Sequence, residues 1–372
     1  KNKIFKYDFL IVGGGLIGSL AAIALLKKKF KVLVIEKKKS LPDDQRTLAV
    51  NANSRDFLKN LGLWEKLNFE QEPINKIVIN DYINEKALLF ENNHESMGSV
   101  IFNNSLLKTA RDFLIQKKII LFGVDYNSLQ MKSKHSVLIN KKIYYFNKII
   151  ISLGKNLEKH DLIKKNYFDT KHQAYVGFFN HQKNHNQTAY ETFTTNGPLA
   201  ILPSPSPNKK SSTFIYSTKN EMNFDNLTKI ITKNFIKSHG KINLKYSISK
   251  YPIRPHLARP LKKDILLLGD TAHSIHPVAG QGWNLGVKDI QNLCSVLDEY
   301  DLSHKFFDHF YFSNRIIENS AYLVFTSALN FLYESKSPSL KPIIKLSFFA
   351  LNKFSSLRNL FIKQAMGKNN LI

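Results

Sequence analysis

The stretch ILLLGDTAHSIHPVAGQGWNLGVKD, residues 265–289, decides the architecture when it is set beside YDFLIVGGGLIGSLAA at 7–22. In the later stretch, 264–268 reads as a buried strand ending in Gly269-Asp270. Pro277 then precedes Gly280-Gln281-Gly282 and a predicted helix that reaches residue 297. An Asp at a strand end can hold a ribityl hydroxyl. Glycines at 280 and 282 let backbone N–H groups meet a flat ring, and a helix start stabilises negative charge developing on that ring. Near the chain start, 7–12 reads as a strand, 13–18 as a turn, 19–28 as a helix and 31–36 as a second strand. Both strands are apolar throughout, as parallel strands covered on two faces are.

Gly13, Gly15 and Gly18 form GxGxxG between that strand and helix, with Glu36 closing the second strand. Gly13 permits the tight turn, Gly15 lets a pyrophosphate approach the backbone, and Gly18 allows the helix to lie close to the strand. Leu16 and Ile17 sit at the helix start, whose N–H groups and positive dipole suit phosphates. Glu36 can accept ribose hydroxyls, and its charge repels a 2′-phosphate. The two stretches together predict FAD rather than NAD as the resident dinucleotide.

Working outward, 54–67 reads as a helix capped by Ser54, 76–90 alternates like a strand, and 104–117 has helical spacing. Short strands follow at 119–124, 136–139 and 148–152. From 174 to 217 β-rich runs are separated by turn residues, with SPSPN at 204–208 as a surface turn. After a Pro-rich crossing at 251–260 and the later Gly-rich stretch, the chain is helical to its end. The expected fold class is α/β: a Rossmann-like FAD-binding domain (1–75, 100–165 and 255–303), an inserted antiparallel β-sheet substrate domain (76–99 and 166–254), and a C-terminal helical segment (304–372).

Composition narrows the partners. The 372 residues carry a formal charge of +25, yet Lys and Asn are spread along the whole chain and no basic arm stands out. No helix-turn-helix, zinc-finger or RNP signature accompanies the charge, so nucleic acid is not expected. Cys294 is the one cysteine, which excludes an intrachain disulfide and a multi-Cys metal site and points to a reducing, cytoplasmic setting. His, Asp and Glu show no metal-binding spacing. The apolar run at 9–26 contains GGGLIG and reads as strand, turn and helix, not as a signal peptide, and no other run is long enough to span a bilayer.

The residues resemble the FAD-dependent aromatic hydroxylases related to para-hydroxybenzoate hydroxylase, and within them the ubiquinone-biosynthesis branch. The resemblance rests on VGGGLIG at 12–18, Arg46 with TLAVN following, LGLW at 61–64, NGPLAILP at 196–203 and GDTAHSIHPVAGQGWNLGVKD at 269–289. Tyr311, Arg315, residues 329–332 and Ala365-Met366-Gly367 fit its C-terminal pattern. It implies that Gly13, Gly15, Leu16, Ile17 and Gly18 cradle the pyrophosphate and that Glu36 binds the ribose. Arg46 contacts the cofactor, and Asp270 holds the ribityl chain. Pro277, Gly280, Gln281, Gly282 and Asn284 lie beside the isoalloxazine. The implied chemistry is reduction of FAD by NADH or NADPH, reaction with O₂ to a flavin 4a-hydroperoxide, and transfer of one hydroxyl to the ring of a prenylated phenol or quinone precursor.

No catalytic side chain is assigned. His276 and Pro277 are the flavin-face candidates, and His273 and His276 read equally as hydrogen-bonded scaffolding. Glu191, Phe193, Pro198, Leu199 and Pro203 are the expected substrate cover. Two positions depart from the family. Leu153 stands in ISLGKN (151–156) where relatives carry Asp before Gly, and Leu107 stands where they carry Gln. The loss at Leu153 favours one rival, a flavoprotein that serves as a non-catalytic member of a quinone-synthesis assembly. Another flavoenzyme of the same fold would keep both Gly-rich stretches, but the HPVAGQG wording and the downstream pattern argue against it. Residues 340–366 interleave apolar and basic side chains. They read either as an interfacial helix pair that holds the protein on the inner face of the cytoplasmic membrane, or as helices packed on the FAD lobe or at a homo-oligomer interface.

Overall fold

The computed structural model describes the chain except residues 1–4, 43–45, 68–69, 85, 93, 127–129, 155–161, 169–170, 246, 278–280, 336 and 369–372. Five parallel strands form its frame. Phe5–Val12 lies between Val32–Glu36 and Lys142–Ile151, Ile120–Phe122 extends the sheet beyond Val32–Glu36, and Ile265–Leu267 pairs with Lys142–Ile151 on its other side. Phe9, Ile11, Val32 and Val34 are at most 1% exposed, as expected for strands covered by helices on both faces. Register does the rest. Val12 pairs with both Ile35 and Ile151, and Ile151 pairs with Leu267, so the carboxyl ends of these strands stop at one edge. In open parallel sheets that edge is where ligands bind.

The first helix, Leu16–Lys27, lies on the frame with Ala21, Ala22, Ile23 and Leu25 wholly buried. It starts three residues earlier than the sequence reading places it, because Gly15 is its N-cap in extended conformation. The second helix, Ala52–Asn60, is capped by Asn51, whose side chain accepts from Ser54 N at 2.9 Å, so Ser54 is the residue capped and not the cap. Its expected continuation to residue 67 breaks at Gly62 (φ +71°), and Trp64–Leu67 forms a separate 3₁₀ turn.

The inserted lobe is an eight-stranded sheet built from Lys76–Asp81, Leu88–Glu91 and six strands between Gln173 and Pro252. It is mixed, not purely antiparallel. Thr188–Thr194 pairs in parallel with Lys76–Asp81, which the chain reaches through a long excursion with no hairpin to impose antiparallel direction. One face packs on the helix Phe224–His239, an element to which the sequence reading assigns nothing, although Asn223 caps it and Leu227, Ile231 and Phe235 fall at helical spacing. The other face carries Ala189, Leu202 and Ile215 against Ile74 and Val100 of a three-stranded sheet that joins the lobes.

Of the expected domain limits, those at 99/100 and 165/166 run through the strands Gly98–Phe102 and Ile163–Tyr167. The long helix Phe307–Glu334 follows, then Lys341–Lys353 and Ser355–Ala365. These last two pack on the inserted sheet, where Ile344, Phe348 and Phe361 join Leu88, Phe90 and Phe193 in one cluster.

Candidate functional site

Gly13 follows Val12 directly and has φ +104°, a backbone that L side chains rarely adopt; a Cβ there would also lie 2.5 Å from the Ser152 carbonyl oxygen. At Gly18 a Cβ would fall 1.9 Å from the Gly13 carbonyl oxygen, so the helix can approach the strand only with glycine there. Gly15 is different. Nothing lies within 4 Å of the place its Cβ would take, leaving open space over a helix start where N–H groups and the helix dipole converge. A phosphate-sized anion fits that chemistry.

Glu36 faces this turn from the next strand. Its Oε2 accepts from Gly14 N at 2.7 Å and its Oε1 from Lys38 N at 2.9 Å. Arg111, 5% exposed on the helix Asn103–Gln116, donates to the Gly14 carbonyl at 2.8 Å and to the carbonyls of Lys38, Lys39 and Ser40 at 3.2 to 3.4 Å. It also lies 3.5 Å from Glu36 Oε2. Burial pulls the Arg111 guanidinium below its ordinary range, and the Glu36 carboxylate opposes that. One guanidinium thus fastens the Gly-rich turn, the acid and the loop after it. The sequence reading missed Arg111. The signal is a lone Arg on the helix face that otherwise buries Leu107, Ala110 and Leu114.

The later Gly-rich stretch reaches the same edge. Gly269–Thr271 is a 3₁₀ turn just past Ile265–Leu267, and it brings Asp270 to the strand end. A wholly buried carboxylate holds this turn. Asp289 accepts from Gly269 N at 2.8 Å, from His273 Nε2 at 2.7 Å and from Arg315 Nε at 2.7 Å. Burial pushes the Asp289 carboxyl upward, but His273 and Arg315 outweigh it and keep the group below the usual carboxylate range. His273 and Arg315 are therefore scaffolding for the turn, and Tyr311 adds a 2.7 Å bond to the Leu267 carbonyl.

The other expected contact residues are placed as follows. The Ile17 side chain is wedged between the two Gly-rich stretches: a Cβ on Gly269 would lie 3.1 Å from it and one on Gly286 2.8 Å. Ile17 can offer a ligand only its backbone, and Leu16 packs against the helix-side core. Asn284 uses its amide to donate to the Ala49 carbonyl (2.9 Å) and to accept from Asn51 N (3.1 Å), which ties its helix to the strand Thr47–Asn51. Arg46 is exposed, with its guanidinium 5.6 Å over the Tyr251 ring of the inserted lobe. Gly280 lies outside the described residues. Gln281 opens the helix Gln281–Glu299 and Gly282 follows with open space beside it.

His276 is 1% exposed, and neither ring nitrogen has a hydrogen-bond partner among the described residues. Burial, with His172 beside it, pushes its pKa down to about 3, so the ring is neutral at neutral pH. Pro277 next to it is half-buried. On the inserted sheet, Glu191 pairs across strands with Ala200 and Phe193 with Pro198, so Glu191, Phe193 and Pro198 share the face turned away from the helix Phe224–His239. Phe193 stacks on Tyr333 with ring centroids 4.1 Å apart. Leu199 belongs to the opposite, helix-packed face, and the period-2 alternation puts Pro203 there too. Those two cannot join the other three in one wall. At the family departure, Gly154 keeps φ +71° and its N–H meets Thr271 Oγ1 at 3.1 Å, while Leu153 packs into the apolar cluster beneath the sheet. The turn survives; the acid does not. Leu107 is buried on the helix Asn103–Gln116.

A family described as the FAD binding domain matches residues 6–115 and 199–300, more than half of the chain. A mitochondrial ubiquinone-biosynthesis monooxygenase of Caenorhabditis elegans is 24% identical, covering 96% of this chain and 94% of its own length. A ubiquinone hydroxylase of Rhodospirillum rubrum is 25% identical over 97% and 89%, and the 3-demethoxyubiquinol 3-hydroxylase of Escherichia coli 24% over 78% and 79%. Among solved structures, the p-nitrophenol 4-monooxygenase of Pseudomonas putida superposes over the whole of both chains with a TM-score of 0.77 at 13% identity. HpxO of Klebsiella pneumoniae, solved with FAD, gives 0.74 at 13% identity, over 98% of this chain and 100% of its own. At such identities these superpositions establish the fold.

Proposed function

The chain belongs to the FAD-binding domain family, and from that premise we propose that it is an FAD-dependent monooxygenase that hydroxylates the aromatic ring of a prenylated quinone precursor. The observation that carries the reading is the meeting, at one sheet edge, of the Gly13–Gly18 turn, Glu36 and the Gly269-Asp270 turn, each braced by a buried charge. Relatives named as ubiquinone-pathway hydroxylases span nearly the whole chain, which supports the substrate class. When bound, FAD supplies the activation of O₂ from which one oxygen atom passes to the ring.

The protein's own residues bind and exclude. Gly15 and the helix start would take the pyrophosphate, Glu36 the ribose hydroxyls, and Asp270 the ribityl chain. On the inserted sheet Phe193 is already covered by the Tyr333 ring, so Glu191 and Pro198 beside that aromatic pair would border the substrate ring and keep water away from the reacting atoms. His276, neutral and buried, is suited to accept or donate one hydrogen bond to a substrate oxygen, not to carry a charge. NADH or NADPH is the proposed reductant. Its hydride delivery is the step most exposed to the loss of an acid at Leu153, so reduction by the free nicotinamide is expected to be slow. An isoprenoid tail places the substrate in a bilayer, so the enzyme would work as a peripheral protein at a membrane face.

The test is purification with FAD, anaerobic mixing with NADH or NADPH, and product analysis after adding O₂ and a prenylphenol. A singly hydroxylated ring is expected, with flavin reduction slower than the ordinary turnover range of about 1–10³ s⁻¹. Bound FAD without any hydroxylated product, whatever the reductant, favours the non-catalytic assembly role.

A further inference from the structure

The C-terminal helix pair divides its apolar side chains between two faces. Ile344 and Phe348 are buried against the inserted sheet, and Phe361 stacks on Phe90 with centroids 4.5 Å apart. Turned the other way are Ile343, Leu346, Phe349, Phe354, Leu357 and Leu360, between 43% and 67% exposed. The preceding helix Phe307–Glu334 also turns apolar side chains outward, among them Val324 and Phe331 at 67% and 65%. Of the 21 large apolar side chains exposed among the described residues, ten lie between Ile317 and Leu360, so this is a concentration and not the scatter that any surface shows.

Charge names the occupant. From 335 to 372 the sequence holds seven Lys or Arg and no Asp or Glu. Lys341, Lys345, Lys353 and Lys363 are exposed around the apolar set, and Lys353 lies 5.3 Å over the Phe349 ring. A second copy of a chain with net charge +25 would bring the same cations to that face. An anionic lipid surface instead offers hydrocarbon for the apolar ridge and negative headgroups for the lysines.

We propose that the outward face of the helices Lys341–Lys353 and Ser355–Ala365 docks on an anionic bilayer, its apolar ridge entering the acyl boundary and its lysines meeting the headgroups. The proposal deepens the substrate reading above, since it gives the route by which a prenylated substrate would be collected. It stands or falls on binding alone.

The FAD-loaded full chain is mixed with vesicles of phosphatidylcholine, or of phosphatidylcholine with phosphatidylglycerol, and centrifuged at low and high salt. Sedimentation with the phosphatidylglycerol vesicles alone, reversed by salt, is expected. Leu346→Asp with Leu360→Asp, both on exposed side chains, should lower vesicle binding roughly tenfold or more while flavin content and melting temperature stay unchanged. Protein that stays in the supernatant, or vesicle binding that the double variant leaves intact, overturns the proposal. So does a dimer in lipid-free solution that the same variant makes monomeric, because the face would then be a contact between copies. Loss of hydroxylation with vesicle binding retained would count against the enzyme reading only.

Discussion

Arg111 shows how one side chain can carry a site that motif reading overlooks. Its fork meets Gly14, Glu36 and three successive carbonyls of the following loop, and no other residue type reaches all of them in one plane. Arg111→Ala is expected to destabilise the protein by about 2–4 kcal/mol, because it removes the cation beside a part-buried carboxylate and the donor that three loop carbonyls share. FAD affinity should fall with it, and Arg111→Lys should rescue little of either loss, since an ammonium lacks the fork. Chemical denaturation and FAD titration of the three proteins check this; a lysine variant matching the wild type would show that charge alone suffices. Cys294 contributes no chemistry at this scale, for burial pushes its thiol up to about 11 and leaves it a poor nucleophile.

The strand–turn–helix unit separates two demands that GxGxxG merges. Gly18 is required by the fold, because its Cβ would strike the Gly13 carbonyl oxygen, whereas Gly15 faces open space and is already in extended backbone open to any residue (φ −69°, ψ −171°). Gly15→Ala should therefore fold with the wild-type melting temperature of the apoprotein but bind FAD at least roughly tenfold more weakly, from a methyl placed where the pyrophosphate approaches. Gly18→Ala should lose both stability and flavin. Melting curves of the two apoproteins, with flavin absorbance after purification, distinguish the cases. Equal melting temperatures for the two variants would mean that the helix can shift to accommodate a Cβ.

At the scale of the whole molecule, the buried histidines set a limit on acid. His181, His185 and His239 cluster at the end of the helix Phe224–His239, with His181 and His239 centroids 4.6 Å apart, and burial lowers all three. His185 is held at about 4, His239 at about 3, His256 at about 4 and His276 at about 3, in each case chiefly by burial. An unfolded histidine takes its proton near pH 6.5. Between that value and the folded ones, the unfolded chain binds protons that the native chain refuses, so stability is present in full above about pH 6.5 and is lost as pH falls towards 4 to 3. Each such group contributes a slope of up to about 1.4 kcal/mol per pH unit. The melting temperature at fixed FAD should drop steadily from pH 7 to pH 5, and His239→Phe, in a site already lined by Phe179, Tyr190 and Phe235, should flatten that slope. A melting temperature level across this range would show that the cluster opens to water.

By itself the sequence determined the parallel frame, the Gly-rich turns at its edge and the acid beside them, because each depends on local rules: apolar runs, glycine spacing and a strand end. What it left undecided depends on chain segments far apart. The parallel pairing of Lys76–Asp81 with Thr188–Thr194, the separation of Leu199 from Glu191 and Phe193, and the capture of Ile17 between Gly269 and Gly286 all follow from which surfaces meet. Arg111 and Asp289 read as ordinary helix residues until the turns they brace lie next to them, 97 residues away for Arg111 and Gly14 and 20 for Asp289 and Gly269. The same holds at the C-terminus, where alternating apolar and basic residues fit a core helix and a surface helix equally well. Only packing against Leu88, Phe90 and Phe193 decided which side chains the molecule uses for itself and which it leaves facing outward, because burial is a property of the partner surface and not of the helix.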